Sequence, residues 1–430
     1  MKLPGFGKKK KNNKEELTDE LLLALDIGTE FVKAVLFTAD TQSQLINIKG
    51  YGRSRQHSNS MQGAMIVNFD NVVNAADRAI GDALFNADEI AKKKNPELAE
   101  EEFITPLPHK VIMGIAGELV QGVTIVADYE REESEEKIDI EETAEVVSKI
   151  KEQAFQDAVV DIADEIGIAS TKLEEINSKI NATYIDGVKV DSPIGFTGSE
   201  VSYKIFSTFA PSIHLNSLKD IAKELGLEVI SIEEEPYTIT RAVKGSRAEN
   251  YSGIVIDIGG GTTDVAVVDK GAIVGTKMFA YGGRVFTKRI AQDLELELND
   301  AEQTKLDYSA DKLAKAVQTD VKKALAKDAQ IWAEGVELAL SELEDVETYP
   351  SNIYLCGGGS ALPEIKQALM EHPWLQVLPF VKFPKVDFLF PNQLEDINDE
   401  TGTIIDPEDI APVALARMVL ELNDFDHTEK

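Results

Sequence analysis

The sequence predicts an α/β fold of two similar lobes, and three stretches carry the prediction. Ser252–Lys270 reads SGIVIDIGGGTTDVAVVDK. Its apolar run Ile254-Val255-Ile256 leads through Asp257 into a glycine-rich turn before Val265-Ala266-Val267-Val268 resumes as a strand. That turn holds more glycine than a two-residue hairpin needs. Glycines there let consecutive backbone N–H groups approach a ligand without a Cβ in the way, and such a concavity binds phosphate. Leu22–Leu36, LLALDIGTEFVKAVL, repeats the device far upstream: strand, Asp26, Gly28, Thr29, polar turn, strand. Two copies predict two related halves facing one nucleotide. A third glycine turn, Gly357-Gly358-Gly359-Ser360, follows strand Ile353–Leu355 and opens a helix through Leu362, Ile365 and Leu369, whose N-terminus carries partial positive charge. Asp26 and Asp257 end their strands beside the two concavities, where a carboxylate can hold hydrated Mg²⁺.

In this order the DIGT, DIGGGTTD and CGGGS turns resemble the phosphate-1, phosphate-2 and adenosine motifs of the actin / DnaK / hexokinase ATPase superfamily. The resemblance implies an actin-like, ribonuclease-H-like duplicated two-lobe ATPase fold. It also implies ATP with Mg²⁺ as the ligand. Asp26, Gly28, Thr29 and Lys33 would contact it from the first lobe. Asp257, Gly259, Gly260, Gly261, Thr262 and Thr263 would do so from the second, and Gly357, Gly358, Gly359 and Ser360 from the third turn. Asp26 and Asp257 are the expected metal-side carboxylates.

Composition sets the outer limits. The chain has 430 residues, too many for one small core, so two or more domains are expected. A formal charge of −32 argues against non-specific nucleic-acid binding, which needs a basic footprint. The single cysteine, Cys356, excludes an internal disulfide and fits a reducing cytoplasm. No stretch reaches the ~18 to 20 apolar residues of a membrane span, and no secretory h-region is visible. His57, His109, His214, His372 and His427 are scattered without metal-ligand spacing. Neither a GxSxG elbow nor a Walker A motif occurs.

Along the chain, residues 1–20 read as a flexible tail in which Lys8–Lys11 form a basic run near Leu3 and Phe6. It is either a solvated arm or a weak membrane-surface or partner-binding one. Strands at Leu22–Asp26, Val32–Phe37 and Leu45–Gly52 form a meander. Asn71–Asn86 follows as an amphipathic helix with Val73, Ala76, Ile80 and Leu84 on one stripe. Lys92–Glu102 reads as a linker and Val111–Ile115 as a strand. Residues 104–209 behave as an inserted unit. They contain a strand at Val120–Ala127, an exposed charge run at Glu130–Lys137, helices at Glu141–Ile166 and Ser170–Ile180, a hairpin around Asp186-Gly187, and an alternating strand at Val201–Phe209. Asn216–Leu225 is a helix closed by Gly226.

Glu233-Glu234-Glu235 before Pro236 suits an acidic helix start. Glu235-Pro236 also resembles the superfamily's connect-1 element, which implies a carboxylate that polarises water towards a γ-phosphate and makes Glu235 the catalytic candidate. Gly282-Gly283 precede a helix with Phe286, Ile290 and Leu294 inward, and the superfamily resemblance implies that this glycine pair closes under the nucleotide. Glu302 and Lys305 follow one turn apart, either a surface pair or, as the superfamily resemblance implies, the ribose and adenine contacts. Asp307–Leu340 is a charged helix, Val381–Thr403 a Pro-punctuated acidic loop and Ile410–Leu422 a final apolar helix. The expected domains are a first lobe of residues 21–103 and 210–251, the insert 104–209, and a second lobe of 252–300 and 346–422. An outer subdomain spans 301–345, and 423–430 form an acidic tail.

The insert narrows the resemblance. A strand–helix–strands module with the turn Pro193-Ile194-Gly195-x-x-Gly198, then LKDIAKELGLEV and EEEPYTITRAV, resembles the cell-division protein FtsA over roughly Leu21 to Leu422. The match implies an α+β (SHS2-type) insert in the first lobe and self-association into actin-like protofilaments. It further implies FtsZ or other division proteins as partners, residence in the cytoplasm at the inner membrane face of the division site, and at most slow regulatory ATPase activity. Two features depart from that pattern. The acidic end Asn423–Lys430 lacks the apolar stripe and basic face of a C-terminal membrane helix, so the basic N-terminal arm is the candidate replacement. The helical part of the insert is long. The alternative is a PilM-like pilus-assembly adaptor. The intact GGGTTD and PIGxxG turns favour FtsA, and the missing anchor favours PilM. A sugar kinase or phosphatase would need a substrate-reading base in a further motif, and none is found.

Overall fold

The computed structural model describes residues 20–57, 59–62, 65–98, 104–116, 120–149, 159–160, 169, 172–190, 192–243, 251–343 and 346–422. The basic arm and the acidic tail lie outside the described residues. So does most of the long helix expected at Glu141–Ile166.

Strands β1 (Leu22–Ile27), β2 (Phe31–Asp40) and β3 (Leu45–Arg55) open the chain, followed by the short hairpin β4 (Met61–Gln62) and β5 (Met65–Ile66) and helix α1 (Phe69–Lys94). Next come β6 (Lys110–Ile115), β7 (Gln121–Glu130), a helix at 140–149 (α2), β8 (Leu173–Ile185), β9 (Val188–Val190) and β10 (Glu200–Pro211). Helix α3 (Ser212–Glu224), β11 (Glu228–Glu234) and α4 (Glu235–Ala242) complete the first half. The second half holds β12 (Gly253–Ile258), β13 (Thr263–Asp269), β14 (Ala272–Phe279), α5 (Gly283–Asp293), α6 (Leu298–Ser309) and α7 (Lys315–Ser341). It ends with β15 (Asn352–Cys356), α8 (Pro363–Glu371), α9 (Trp374–Val377), β16 (Lys385–Phe388), β17 (Ile397–Asp399) and α10 (Ile410–Leu422).

The duplication is visible in the sheets. One runs β11-β6-β1-β2-β3-β17 and the other begins β16-β15-β12-β13-β14. In each, two parallel strands lie beside an antiparallel meander of three. Asp26 sits at the end of β1 opposite Lys33, as Asp257 sits at the end of β12 opposite Asp264. The strands of both centres are apolar on both faces because helices cover both sides. Helices α4 and α10 form the shared core between the halves. Tyr237, Ile239 and nearly every residue of α10 pack there with Val35 and Ile112 of the first sheet and Val255 and Val268 of the second.

Four expectations change. The helix expected at Ser170–Ile180 gives way from Leu173 to β8, which pairs with β10 from Leu173–Pro211 to Ile185–Val201. A long alternating partner overrides local helix preference, since strand propensity is mostly a matter of neighbours. Helix α1 runs to Lys94, through the start of the expected linker, and ends at Asn95. Its buried face is Val72, Ala75, Ala76, Ala79 and Ala83, whereas Val73, Ile80 and Leu84 sit at the margin. Asp307–Leu340 is two helices, broken where Asp311 takes a φ of 55°. The acidic stretch 381–403 supplies β16 and β17, one at an edge of each sheet, where short, charged strands belong. The hairpin at Asp186-Gly187 forms as expected, with φ of 46° and 78°.

The insert's strands β7, β10, β8 and β9 continue the second sheet beyond β14, through the pairing of Thr276 with Gly122. Among the described residues no helix is long and apolar enough to cross a membrane.

Candidate functional site

The two strand-end turns face each other across a cleft of roughly 1200 Å³, its open mouth included. Asp26, Gly28, Thr29 and Lys33 line it from the first half, and Asp257, Gly259, Gly260 and Thr262 from the second. Gly283, Glu302, Lys305 and the third turn, Gly357, Gly358 and Gly359, close the adjacent wall, and Glu235 forms part of the floor.

Close backbone approach explains the glycines. A Cβ on Gly260 would come within 2.9 Å of the Glu30 Cβ and 3.0 Å of the Thr29 hydroxyl, so the two turns touch. Gly357 has a φ of +78°, and a Cβ there would lie 2.0 Å from the Asp257 Oδ1. Only a residue without a side chain fits against that carboxylate.

Electrostatics single out the floor. Asp26 and Asp264 are buried, Asp257 and Glu235 half-buried, and Lys33 is the cation among them, 4.0 Å from Asp26. Burial, opposed by Lys33 and assisted by Asp26, pushes the Asp257 carboxyl up to about 6. Burial raises Asp26 despite Lys33. Burial and then the three aspartates raise Glu235 far above the usual carboxylate range. Asp264 rises through burial and its neighbour Asp257. Asp26, Asp257 and Glu235 share the one ammonium of Lys33, a deficit of positive charge that a divalent cation would fill. Among the described residues no three His, Cys, Asp or Glu side chains converge to hold a metal by themselves. That donor set fits Mg²⁺, which takes one or two carboxylates and completes its shell with water and phosphate oxygens.

The neighbouring wall is knitted from polar contacts. Lys305 is 8% exposed, and its ammonium donates to the Gly283 carbonyl at 3.1 Å, Thr287 Oγ1 at 2.8 Å and Glu302 Oε2 at 2.7 Å. The pair Glu302–Lys305 is therefore built into the cleft wall rather than lying free on the surface. The N–H groups of Gly283 and Arg284 donate to the carbonyls of Gly259 and Gly260, which locks α5 to the second turn.

Four expected residues stand outside the cleft lining. Thr263 accepts from Trp332 Nε1 and donates to the Tyr281 carbonyl, facing the core. Ser360 donates to the Gly357 carbonyl and shapes the third turn. Gly261 and Gly282 pack against Thr29 and the Gly259 carbonyl respectively.

Sequence reasoning missed Glu30, Arg284 and Glu408. Arg284 donates to Glu30 Oε2 at 2.9 Å and to the Thr29 carbonyl, linking the two halves across the cleft. Lys33 donates to the carbonyl of Glu408, while the Gly357 N–H donates to that of Pro407. Position offered a weak signal for two of them: Glu30 follows Thr29, and Arg284 follows the glycine pair. Glu408 had none. The cleft also extends past the glycines towards Met61, Ile66, His214 and Leu218. Burial pushes the His214 imidazole down to about 4.

Duplicated sheets of this topology, with three glycine turns and paired strand-end aspartates on one cleft, define an actin-like ATPase fold. The solved structure titled "PilM-PilN type IV pilus biogenesis complex" shares it, with a TM-score of 0.59 over 92% of this chain and 97% of that one at 14% identity. More particularly, the chain is similar to cell division protein FtsA. The family model described as "Cell division protein FtsA" matches residues 254–400. The FtsA of Neisseria meningitidis serogroup B is 29% identical over 298 residues, 68% of this chain and 62% of that protein. The FtsA of Bacillus subtilis is 24% identical over 376 residues, 81% and 75% of the two chains. The chain thus spans less than two thirds of the length of its Neisseria relative.

Proposed function

We propose that this chain is an actin-like ATP-binding protein of cell division that works as FtsA-type proteins do. It would self-associate and link FtsZ or other division proteins to the cytoplasmic face of the membrane at the division site. The observation that carries the reading is the convergence of all three glycine turns, both strand-end aspartates and Glu235 on one cleft between duplicated lobes.

In this reading the N–H groups of the two turns cradle phosphates and Lys33 contributes positive charge. Asp26 and Asp257 lie on the side of the metal, which would supply neutralisation of phosphate charge when bound. Glu302 and Lys305 face the ribose and base. Glu235 orients a water, and its carboxylate rests on Gly114 of β6, where a Cβ would come within 2.2 Å of Oε1. Turnover is slow and regulatory, and its role is to switch the lobes between positions. The inserted strands correspond to the SHS2-type unit, and residues 301–345 to the outer subdomain. The PilM-like alternative shares the fold, but the matched family model and the curated relatives carry the FtsA name.

Titration calorimetry with Mg·ATP on the folded full chain tests ligand binding, and absence of heat would overturn the proposal. Pull-down with FtsZ against a pilin-complex peptide separates the two cellular roles. Liposome flotation with and without residues 1–14 tests the basic arm, and equal binding by both forms would remove it as the anchor.

A further inference from the structure

Glu234 and Glu235 are adjacent but serve different places. Glu235 lines the cleft. The Glu234 carboxylate, 2% exposed, accepts from Thr208 Oγ1 of β10 at 3.0 Å and from Thr276 Oγ1 of β14 at 2.5 Å. Both threonines are buried. One side chain of β11, in the first sheet, is thereby clamped by an inserted strand and by a strand of the second lobe.

The surroundings are built for this meeting. Gly122 of β7 pairs with Thr276, and a Cβ on it would lie 2.2 Å from the Thr276 hydroxyl and 2.6 Å from the Phe206 ring. Thr124 donates to the Ile273 carbonyl at 3.0 Å and holds the same seam. Phe206 of β10 stacks on Tyr237 of α4, with centroids 5.5 Å apart and planes within 9°. The inserted strand β10 therefore grips the chain at residue 234 and again at residue 237, on either side of Glu235. A carboxylate out of water is stable only with such hydrogen-bond partners, so the clamp and the corner between β11 and α4 hold each other.

We propose that Glu234 is a positioning residue for Glu235: clamped by Thr208 and Thr276, it fixes the β11–α4 corner so that the Glu235 carboxylate stays aimed into the cleft. The inference rests on the reading of Glu235 as the water-orienting group. It adds that the inserted strands act on turnover through a contact that never touches the nucleotide.

The test uses the full chain, steady-state hydrolysis of Mg·ATP and separate titration with a fluorescent ATP analogue. Glu234→Ala should lower kcat about tenfold or more, since small misplacements of a reacting group cost up to ~100-fold. KM and the analogue's Kd should stay within about threefold. Glu234→Gln, whose carboxamide can accept from one threonine and donate to the other, should recover most of kcat. Thr276→Val, nearly isosteric, should lower kcat without changing analogue binding, and it carries the test if Glu234→Ala fails to fold. Wild-type kcat in both Glu234→Ala and Thr276→Val, or in Thr276→Val alone where the alanine variant does not fold, overturns the inference and leaves the proposed function standing. Loss of analogue binding in step with kcat also overturns it, since the residue would then be structural. A wild-type chain that binds the analogue but never hydrolyses ATP overturns both this inference and the hydrolytic part of the proposed function.

Discussion

Asp257 shows how a single side chain can make the cleft sensitive to pH. Its folded-state pKa of about 6 lies above the ordinary carboxylate value. Between about pH 4 and pH 6 the folded chain therefore holds a proton that the unfolded chain has lost. The stability from this group is present below about pH 4 and is lost as pH rises through about 6, a change of roughly 3 kcal/mol. A metal–nucleotide complex requires the ionised form, so the sign reverses for binding: affinity for Mg·ATP rises from pH 5 to pH 7 as the proton is displaced. Calorimetry at pH 6 in two buffers of different ionisation enthalpy should give different apparent heats, and equal heats would count against this account. Gly357 makes a second residue-level prediction. Gly357→Ala must place a methyl 2.0 Å from Asp257 Oδ1 at a φ of +78°, so the third turn shifts. Nucleotide affinity should fall more than tenfold and stability by about 1 to 3 kcal/mol, read by analogue titration and urea unfolding. An affinity equal to wild type would show that this turn does not meet the ligand.

Helix α1 and the strand beneath it were half legible in the sequence. The period of apolar residues announced a helix, yet the side chains that are buried are mostly alanines. The reason lies in β3: a Cβ on Gly52 would meet the Ala79 carbonyl oxygen at 2.2 Å, and one on Gly50 the Ala83 carbonyl oxygen at 2.3 Å. The helix backbone lies almost on the strand, so only small residues fit between them and the larger Val73, Ile80 and Leu84 are displaced to the margin. Gly52→Val should therefore cost about 1 to 3 kcal/mol by overpacking, measured as a lower urea midpoint at unchanged slope, and an unshifted midpoint would contradict the close approach. Strand-end aspartates and glycine turns could be read from sequence because their chemistry is local. Strand β8 could not, because its state is set by β10 some thirty residues on. Glu408 was hidden for a related reason: its backbone carbonyl, not its side chain, meets Lys33.

At the scale of the whole molecule, the two halves meet in the α4–α10 core and at the Glu234–Thr276 seam, and Arg284 adds a polar link across the cleft. It reaches from α5 to Glu30 and to the Thr29 carbonyl, so it closes the second half onto the first strand-end turn. Burial would raise the Glu30 carboxyl, but Arg284 and Arg55 outweigh it and hold the group ionised below its usual range. Both partners keep some exposure, so the pair contributes at most about 1 kcal/mol. On the proposed ATP-binding reading, a link of that size suits lobes that must part, because a much stronger one would trap the ligand. Arg284→Ala should leave the fold intact, raise the dissociation rate of a fluorescent ATP analogue about two- to fivefold, and increase the radius of gyration of the ligand-free chain in solution scattering. Unchanged dissociation together with an unchanged radius would mean that the α4–α10 core and the Glu234–Thr276 seam keep the halves closed without it, and that the arginine only shapes the first turn.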